Sequence, residues 1–129
     1  MTDIQTRIAE IARQTIAIEA EALQQLSASV DEDFTSAVHA VFLSRGRLIV
    51  TGIGKSAIVA QKIVATLNST GTPSIFMHAA DAIHGDLGMM QPDDVVLCIS
   101  KSGETPEIKA LVPLVKRLGN LLLGMVASR

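Results

Sequence analysis

The sequence has 129 residues, of which 48% are apolar, and its 11 basic and 13 acidic residues give a net charge of −2 at pH 7. This length predicts one domain large enough to bury a core, and no apolar run approaches the roughly 20 residues of a membrane-spanning helix. The first residues lack the basic and apolar segments of a signal peptide. There is no basic tract to bind nucleic acid and no Trp or Tyr to stack on bases or sugars. We therefore expect a cytoplasmic protein with small-molecule or protein partners.

Two segments with helical periodicity open the chain. Residues 2–28 carry apolar side chains at steps of three and four, including Ile4, Ile8 and Ile11. The apolar stripe is broad, so we expect it to pack on the rest of the domain, on a second subunit or on both. Phe34 and the apolar residues after it predict a second helix that ends near Gly46.

From residue 47 the pattern alternates between strands and helices. The apolar run at 47–54 predicts a strand covered on both faces. A helix over 56–70 follows, with Ile58, Val59, Ile63 and Leu67 expected to face inward. The next predicted elements are a strand over 74–77, a helical turn over 79–83, a glycine-containing loop, a strand over 95–100, a helix from Thr105 to Gly119, and a strand over 121–127. This alternation predicts a mainly parallel sheet with right-handed crossovers and therefore an α/β fold. Cys98, in the third strand, is expected to be a buried thiol.

The loop after the third strand carries three hydroxyl groups, those of Ser100, Ser102 and Thr105. Thr105 and Pro106 are typical of a helix start, with threonine as N-cap and proline at the first helical position. Free N–H groups and the positive end of the helix dipole make such a junction a pocket for a phosphate group. Serine, glycine and threonine also occur in such loops merely as caps, so this alternative stays open.

The first strand-to-helix turn is Thr51-Gly52-Ile53-Gly54-Lys55-Ser56-Ala57, which satisfies the dinucleotide-binding pattern G-x-G-x-x-A. That interpretation also needs an acidic residue at the end of the second strand, where Met77 and His78 stand instead. A P-loop is excluded because Ile49 occupies the position of its first glycine. Lys55, Ser56, His78 and the serines of the third loop all follow strands, and ligands bind at the carboxyl ends of parallel strands.

Three residues are candidates for acid–base chemistry. His84 lies in a glycine-flexed loop, and histidine is the residue most often used for proton transfer. Glu107 lies in the first turn of the predicted helix, where the dipole stabilises its anion. Glu104 is an alternative base that the sequence does not separate from Glu107.

These motifs together resemble a known family. The segment GIGKSAIVAQKIVATLNSTGTPSIFMHAADAIHGDLGMMQPDDVVLCISKSGETPEI is similar to the SIS (sugar isomerase) domain of bacterial arabinose-5-phosphate isomerases, and the resemblance covers about residues 5–129. S-x-S-G-x-T is general to phosphosugar-binding SIS domains, whereas GKS, STGTPS and H-x-x-x-x-x-H-G-D-L-G are more particular to this group. The resemblance implies a three-layer α-β-α sandwich with a flavodoxin-like sheet, preceded by two N-terminal helices.

The resemblance also implies how the chain is organised. Residues 1–46 would serve packing and oligomerisation, as part of a homotetramer, and residues 47–129 would form the SIS core. Members of the family continue to a fifth strand and further helices that carry another catalytic histidine, and many add CBS modules. This sequence has none of these, so we expect an incomplete SIS domain.

By resemblance, the activity is the interconversion of ribulose 5-phosphate and arabinose 5-phosphate through an enediol, towards the Kdo sugar of lipopolysaccharide, with no metal or nucleotide required. The residues that the motifs assign to phosphate or substrate are Ser56, Gly71, Thr72, His78, His84, Ser100, Ser102 and Thr105. Lys55, His84 and Glu107 match catalytically important positions, and His78 matches a histidine linked to inhibitory zinc. Lys101 stands where relatives commonly have Asn, Gln or Tyr. The alternative is a non-catalytic phosphosugar sensor, which would need the hydroxyls but no base.

Overall fold

A computed structural model describes residues 2–127. Its elements, in chain order, are α1 (Asp3–Ser27), α2 (Glu32–Leu43), β1 (Leu48–Gly52), α3 (Lys55–Ser69), β2 (Ser74–His78), α4 (Ala79–Ile83), a 3₁₀ turn (Asp86–Met89), β3 (Val95–Ile99), α5 (Pro106–Leu118) and β4 (Leu122–Met125). The chain divides into two compact units, of which the first ends at His39 and the second begins at Ala40. None of the helices formed by residues 2–127 combines the length and apolarity needed to cross a membrane.

The second unit is built on a parallel sheet with the strand order β2-β1-β3-β4. This order confirms the predicted flavodoxin-like arrangement. The chain moves from β1 to β2 on one side and then crosses back to β3 on the other. The direction of winding therefore reverses between β1 and β3. This reversal is here called the switch point. In open α/β sheets, ligands bind outside the carboxyl ends of the strands on either side of such a switch point.

Helices cover both faces of this sheet. On one face, Ala60, Ile63 and Leu67 of α3 pack with Val50 and Ile99. On the other face the apolar side chains of α4 and α5 pack with those of the strands, among them Ala79, Ile108, Leu111, Ile49, Met77 and Cys98. The predicted three-layer sandwich is thus confirmed. Cys98 is buried as expected, and burial raises the pKa of its thiol.

The inward face of α3 differs from the prediction. Ile63 and Leu67 pack on the sheet, but Ile58 and Val59 are 67% and 52% exposed. The alanines Ala57 and Ala60 are buried in their place. Small side chains let the helix approach the sheet closely, so the helix is rotated towards its alanine face.

The first unit is dominated by α1, which begins with a capping box between Thr2 and Gln5. None of the side chains of α1 is buried, and Ile4, Ile8 and Ile11 are between 53% and 71% exposed.

The helix α2 is shorter than predicted. It ends at Leu43 rather than near Gly46, because the Ser44 hydroxyl donates to the carbonyl of Asp93 at 3.0 Å and accepts from the Gly46 amide at 3.1 Å.

The edge of the sheet where β1, β3 and β4 begin is closed by a polar network, here called the amino edge (Arg47, Met89, Gln91, Asp94, Asn120). Asp94 Oδ1 accepts hydrogen bonds from the Arg47 backbone N–H at 2.8 Å and from Arg47 Nε at 3.1 Å. Asp94 Oδ2 accepts from Arg47 Nη2 at 2.6 Å and from the Gln91 backbone N–H at 2.8 Å. Arg47 Nη2 also donates to the Met89 carbonyl, and Asn120 Nδ2 donates to the carbonyls of Gln91 and Asp94. The Arg47 guanidinium is the largest cause that lowers the pKa of Asp94 to about 2.

Candidate functional site

The opposite edge, here called the carboxyl edge, consists of the segments that follow β1, β2 and β3. The segment after β1 leads directly into α3 through Gly54. Gly54 is the N-cap of α3 and has φ of +61°, a conformation that favours glycine, and it offers no side chain to cap the helix. No side chain of residues 2–127 therefore caps the first N–H groups of α3. Lys55, which is exposed, and the half-buried Ser56 are the first two residues of this helix.

The segment after β3 leads into α5, whose N-cap is Thr105 as predicted. Among residues 2–127, the Thr105 side chain makes no capping hydrogen bond, and its buried Oγ1 has no hydrogen-bond partner. The other α-helices of residues 2–127 do have side-chain caps: Thr2 caps α1, Asp31 accepts from the Phe34 N–H in α2, and His78 caps α4. Among the α-helices of residues 2–127, the two without a side-chain cap are thus α3 and α5, which begin beside the switch point.

The start of α3 and the end of β3 meet at Gly52. A Cβ placed on Gly52 would lie 3.1 Å from the Ile99 carbonyl oxygen, 3.1 Å from the Ser56 carbonyl carbon and 3.2 Å from the Ala57 nitrogen. The peptide group between Ile99 and Ser100 and the peptide group between Ser56 and Ala57 therefore both lie beside Gly52. The predicted convergence of these two loops is present in the fold.

The two serines of the third loop shape it through backbone contacts. The Ser100 hydroxyl accepts from the Gly103 N–H at 2.8 Å, and the Ser102 hydroxyl accepts from the Glu104 N–H at 3.1 Å. Gly103 turns the loop with φ of +71°. Each serine uses its oxygen as an acceptor and keeps its O–H proton as a donor. The sequence-based prediction gave no role to Gly103, although a glycine between hydroxyl residues signals such a turn.

The two candidate bases differ in their surroundings. Glu104 is exposed and forms an ion pair with Lys109 at 2.6 Å. Glu107 is half-buried in the first turn of α5, and it has no ion-pair partner among residues 2–127. The helix dipole favours its carboxylate.

The histidines flank the short helix α4. His78 pairs with Gly52 in the register of β2 and β1, at the carboxyl end of both strands. Its Nδ1 accepts from the Ala80 N–H at 3.1 Å, and its ring packs edge-on against Phe76. This leaves Nε2 of His78 for a ligand. His84 is exposed and ends α4, which packs against α5 through the apolar core.

Gly71 and Thr72 are not brought to the carboxyl edge of the same chain. They lie between α3 and β2, and β2 begins at Ser74, which pairs with Leu48 at the start of β1. The Thr72 N–H donates to the Leu67 carbonyl at the end of α3. Both residues are therefore placed at the end of the strands opposite to Ser56 and Ser100.

Within residues 2–127, His78 is not part of a cluster of candidate metal ligands. Among residues 2–127, no group of three or more His, Cys, Asp or Glu side chains is placed to hold a metal ion. Because structural and catalytic zinc sites use three or four protein ligands, a zinc ion at His78 would need ligands besides those that the described residues place beside it.

Residues 41–128 match the SIS domain. The chain belongs to the SIS domain family. The strands, the two uncapped helix N-termini and the serine-containing loop after β3 all lie within the matched residues.

Individual relatives are also similar over most of this chain. It is 50% identical over 117 residues to arabinose 5-phosphate isomerase KdsD of Pseudomonas aeruginosa, an alignment that covers 91% of this chain and 36% of that protein. It is 47% identical over 116 residues to KdsD of Yersinia pestis, which covers 90% of this chain and 35% of the relative. This SIS chain therefore spans about a third of the length of the curated relatives that it matches.

A solved structure shares the fold closely. Escherichia coli CFT073 c3406, determined in complex with arabinose 5-phosphate, superimposes with a TM-score of 0.90 at 39% sequence identity. The superposition covers 99% of this chain and 67% of that chain.

Proposed function

We propose that this SIS domain binds a phosphosugar at the carboxyl edge and interconverts D-ribulose 5-phosphate and D-arabinose 5-phosphate. The observation that carries the proposal is the pair of uncapped helix N-termini, those of α3 and α5, on either side of the switch point. The names of the relatives, arabinose 5-phosphate isomerases at 47% and 50% identity, and the arabinose 5-phosphate bound in the similar solved structure support the choice of sugar.

The phosphate group would be held by the first turns of α3 and α5. Both turns present N–H groups without side-chain acceptors, and both helix dipoles place positive potential at the same edge. The hydroxyls of Ser56, Ser100, Ser102 and Thr105 would donate to the phosphate oxygens. Hydrogen bonds to a charged group are about twice as strong as neutral ones, and the phosphate would fix the position of the reacting carbons.

The reaction moves a proton between C1 and C2 of the sugar through an enediol. We assign Glu107 as the base that removes this proton, because it is half-buried at the start of α5 and is not consumed by an ion pair. The competing carboxylate, Glu104, is exposed and paired with Lys109. A free carboxylate near the substrate can accept the proton and return it to the neighbouring carbon.

Lys55 and His84 would assist at the oxygens of the sugar. The ammonium group of Lys55, at the first position of α3, would stabilise the negative charge of the enediolate. His84 would open the sugar ring and carry protons between its oxygens, and His78 would bind substrate through Nε2. The proposed reaction needs no metal or nucleotide, since general base and electrostatic catalysis are sufficient for an enediol reaction.

Gly71 and Thr72 would act in a homotetramer. They lie at the amino ends of the strands in their own chain, so a role at the substrate requires that they reach the carboxyl edge of a neighbouring subunit. The broad apolar stripe of α1, which is exposed in the single chain, would serve this assembly. In the cell we place the activity in the cytoplasm, on the route to the Kdo sugar of lipopolysaccharide.

The direct test is to incubate the chain with ribulose 5-phosphate in deuterated water and to follow the sugar by NMR. Isomerisation gives arabinose 5-phosphate with deuterium at C2. Saturable binding of the phosphosugar without exchange would instead show a sensor domain and would refute the isomerase proposal for this chain. The absence of binding would refute both.

A further inference from the structure

We propose that Gly52 is a positioning residue of the phosphosugar site, a role that rests on the function proposed above. Gly52 is the last residue of β1 and pairs with His78 of β2. It is buried, as are all five residues of β1. Gly52 itself would contact no substrate. It acts through the two loops that do.

The contacts around Gly52 come from both of those loops. A Cβ at this position would lie 3.1 Å from the Ile99 carbonyl oxygen and 3.1 Å from the Ser56 carbonyl carbon. These are backbone atoms of regular elements, β3 and α3, so they cannot move aside as the end of a flexible side chain does. A side chain at residue 52 would therefore separate the first turn of α3 from the end of β3 by a few tenths of an ångström.

Such a separation matters because the phosphate is proposed to bridge these two elements. Its oxygens would accept from the first turn of α3 on one side and from the loop after β3 on the other. Hydrogen bonds weaken steeply when their length and angle depart from the optimum. A small shift between the two donor groups would thus weaken several bonds to the phosphate at the same time.

The backbone conformation at Gly52 does not itself require glycine. Gly52 is not among the glycines with positive φ, so alanine fits the backbone of the strand and the effect of a substitution is steric. Gly124 provides the matched control. It lies in β4 of the same sheet, also without positive φ, and a Cβ on Gly124 would meet nothing within 4 Å.

The experiment compares Gly52→Ala with Gly124→Ala. Binding of inorganic phosphate and of ribulose 5-phosphate is measured by calorimetry, and folding is checked by thermal unfolding. We expect Gly52→Ala to weaken both ligands by about 10-fold, as the loss of hydrogen bonds to a charged group implies, and to raise KM more than it lowers kcat. Gly124→Ala should bind both ligands as the parent does. Unchanged affinity in a folded Gly52→Ala protein would overturn the proposal, and so would its failure to fold, which would make Gly52 a residue of general packing.

A structural readout separates this inference from the proposed function. Crystal structures of the parent and of Gly52→Ala should show Ser56 and Ser100 farther apart in the variant, whereas Gly124→Ala should leave their separation unchanged. If the parent binds neither ligand, the proposed function fails. If the separation of Ser56 and Ser100 is also unchanged in Gly52→Ala, Gly52 does not position the two loops either. A widened separation without any phosphate binding would show that Gly52 sets the spacing of the two loops, but it would overturn its role at a phosphosugar site.

Discussion

At the amino edge of the sheet both carboxylate oxygens of Asp94 accept hydrogen bonds from Arg47, whereas at the carboxyl edge the buried hydroxyl of Thr105 has no partner within the described chain. The two edges are built from the same strands, and both carry polar groups at the ends of buried elements. Those at the amino edge are satisfied by the protein. Those at the carboxyl edge, including the N–H groups of Ser56 in α3 and Glu107 in α5, have no side-chain acceptor among residues 2–127.

This difference implies that the amino edge contributes mainly to the stability of the fold, and the carboxyl edge mainly to the proposed binding. A buried polar group with a partner contributes about 1 kcal/mol, and one without a partner costs about 1–3 kcal/mol. The amino edge therefore ties β1, β3 and β4 together. The carboxyl edge leaves polar groups unsatisfied, which costs stability, and under the proposed function these groups would bind an anion. Substitutions at one edge should change stability with little effect on binding, and substitutions at the other should do the reverse.

The largest expected effect is on turnover at the carboxyl edge. Glu107→Gln keeps the size of the side chain but removes the base, so we expect the rate of exchange in deuterated water to fall by about 100-fold or more. Phosphosugar affinity and thermal stability should stay near those of the parent. Glu104→Gln is the matched control and should leave exchange within about twofold, because exposed ion pairs contribute little. If Glu104→Gln gave the large loss instead, the assignment of the base would be reversed.

The next largest effect is on stability at the amino edge. Asp94→Asn breaks an ion pair whose carboxylate is buried and whose guanidinium is half-buried. The Arg47 guanidinium loses its counter-charge, so the free energy of unfolding should fall by about 2 kcal/mol. Asp93→Asn, at the exposed neighbouring residue, should change it by less than about 0.5 kcal/mol. Urea unfolding measures both. A loss of phosphate affinity in Asp94→Asn at a temperature where it is fully folded would contradict the separation of the two edges.

The same network predicts how stability depends on pH. The pKa of Asp94 is lowered to about 2 in the folded chain, from an ordinary value of 3.8. Its contribution to stability is therefore fully present above the unfolded value and is lost as the pH falls from about 4 towards 2, which amounts to about 2 kcal/mol. Unfolding by urea at a series of pH values should show this decline in the parent. In Asp94→Asn the decline should be smaller by that amount, and an identical decline would show that Asp94 is not its source.

The smallest effects distinguish two buried hydroxyls that both lack a partner within residues 2–127, those of Thr51 and Thr105. Thr105→Val should weaken inorganic phosphate by about 10-fold, since a hydrogen bond to a charged group is lost. Thr51→Val removes a hydroxyl from a side chain that is 0% exposed in the middle of the sheet, so it should raise stability by about 1 kcal/mol and leave affinity unchanged. Calorimetry and urea unfolding of the two variants provide the comparison. Equal affinities for phosphate in the two variants would mean that the Thr105 hydroxyl is an unsatisfied buried group with no role in binding.

The local elements could be predicted from the sequence because their signals are local. Thr105, Pro106 and Gly119 mark the ends of α5, and the structure confirms that helix over Pro106–Leu118 with Gly119 in the left-handed conformation. The face of α3 was not predictable in the same way. Periodicity alone allowed Ile58 and Val59 to be buried, and only the fit against the sheet selects Ala57 and Ala60.

The residues that meet at the carboxyl edge could be predicted from the sequence better than those that meet at the amino edge. Because strands in a parallel sheet end at one edge, the residues after β1 and β3 could be placed together without knowledge of the strand order. The pairing of Arg47 with Asp94 depends on β1 and β3 being neighbours, which no local pattern states. Gly71 and Thr72 entered the predicted site through family resemblance alone. The fold of one chain places them at the other end of the strands.

The central claim is that the uncapped starts of α3 and α5 bind phosphate, and titration of the isotope-labelled chain with inorganic phosphate tests it most directly. We predict saturable shifts of the amide signals of Lys55, Ser56 and Ala57 and of the loop from Ser102 to Thr105, with those of Arg47, Gln91 and Asp94 unchanged. Shifts concentrated at the amino edge, or none that saturate, would contradict it.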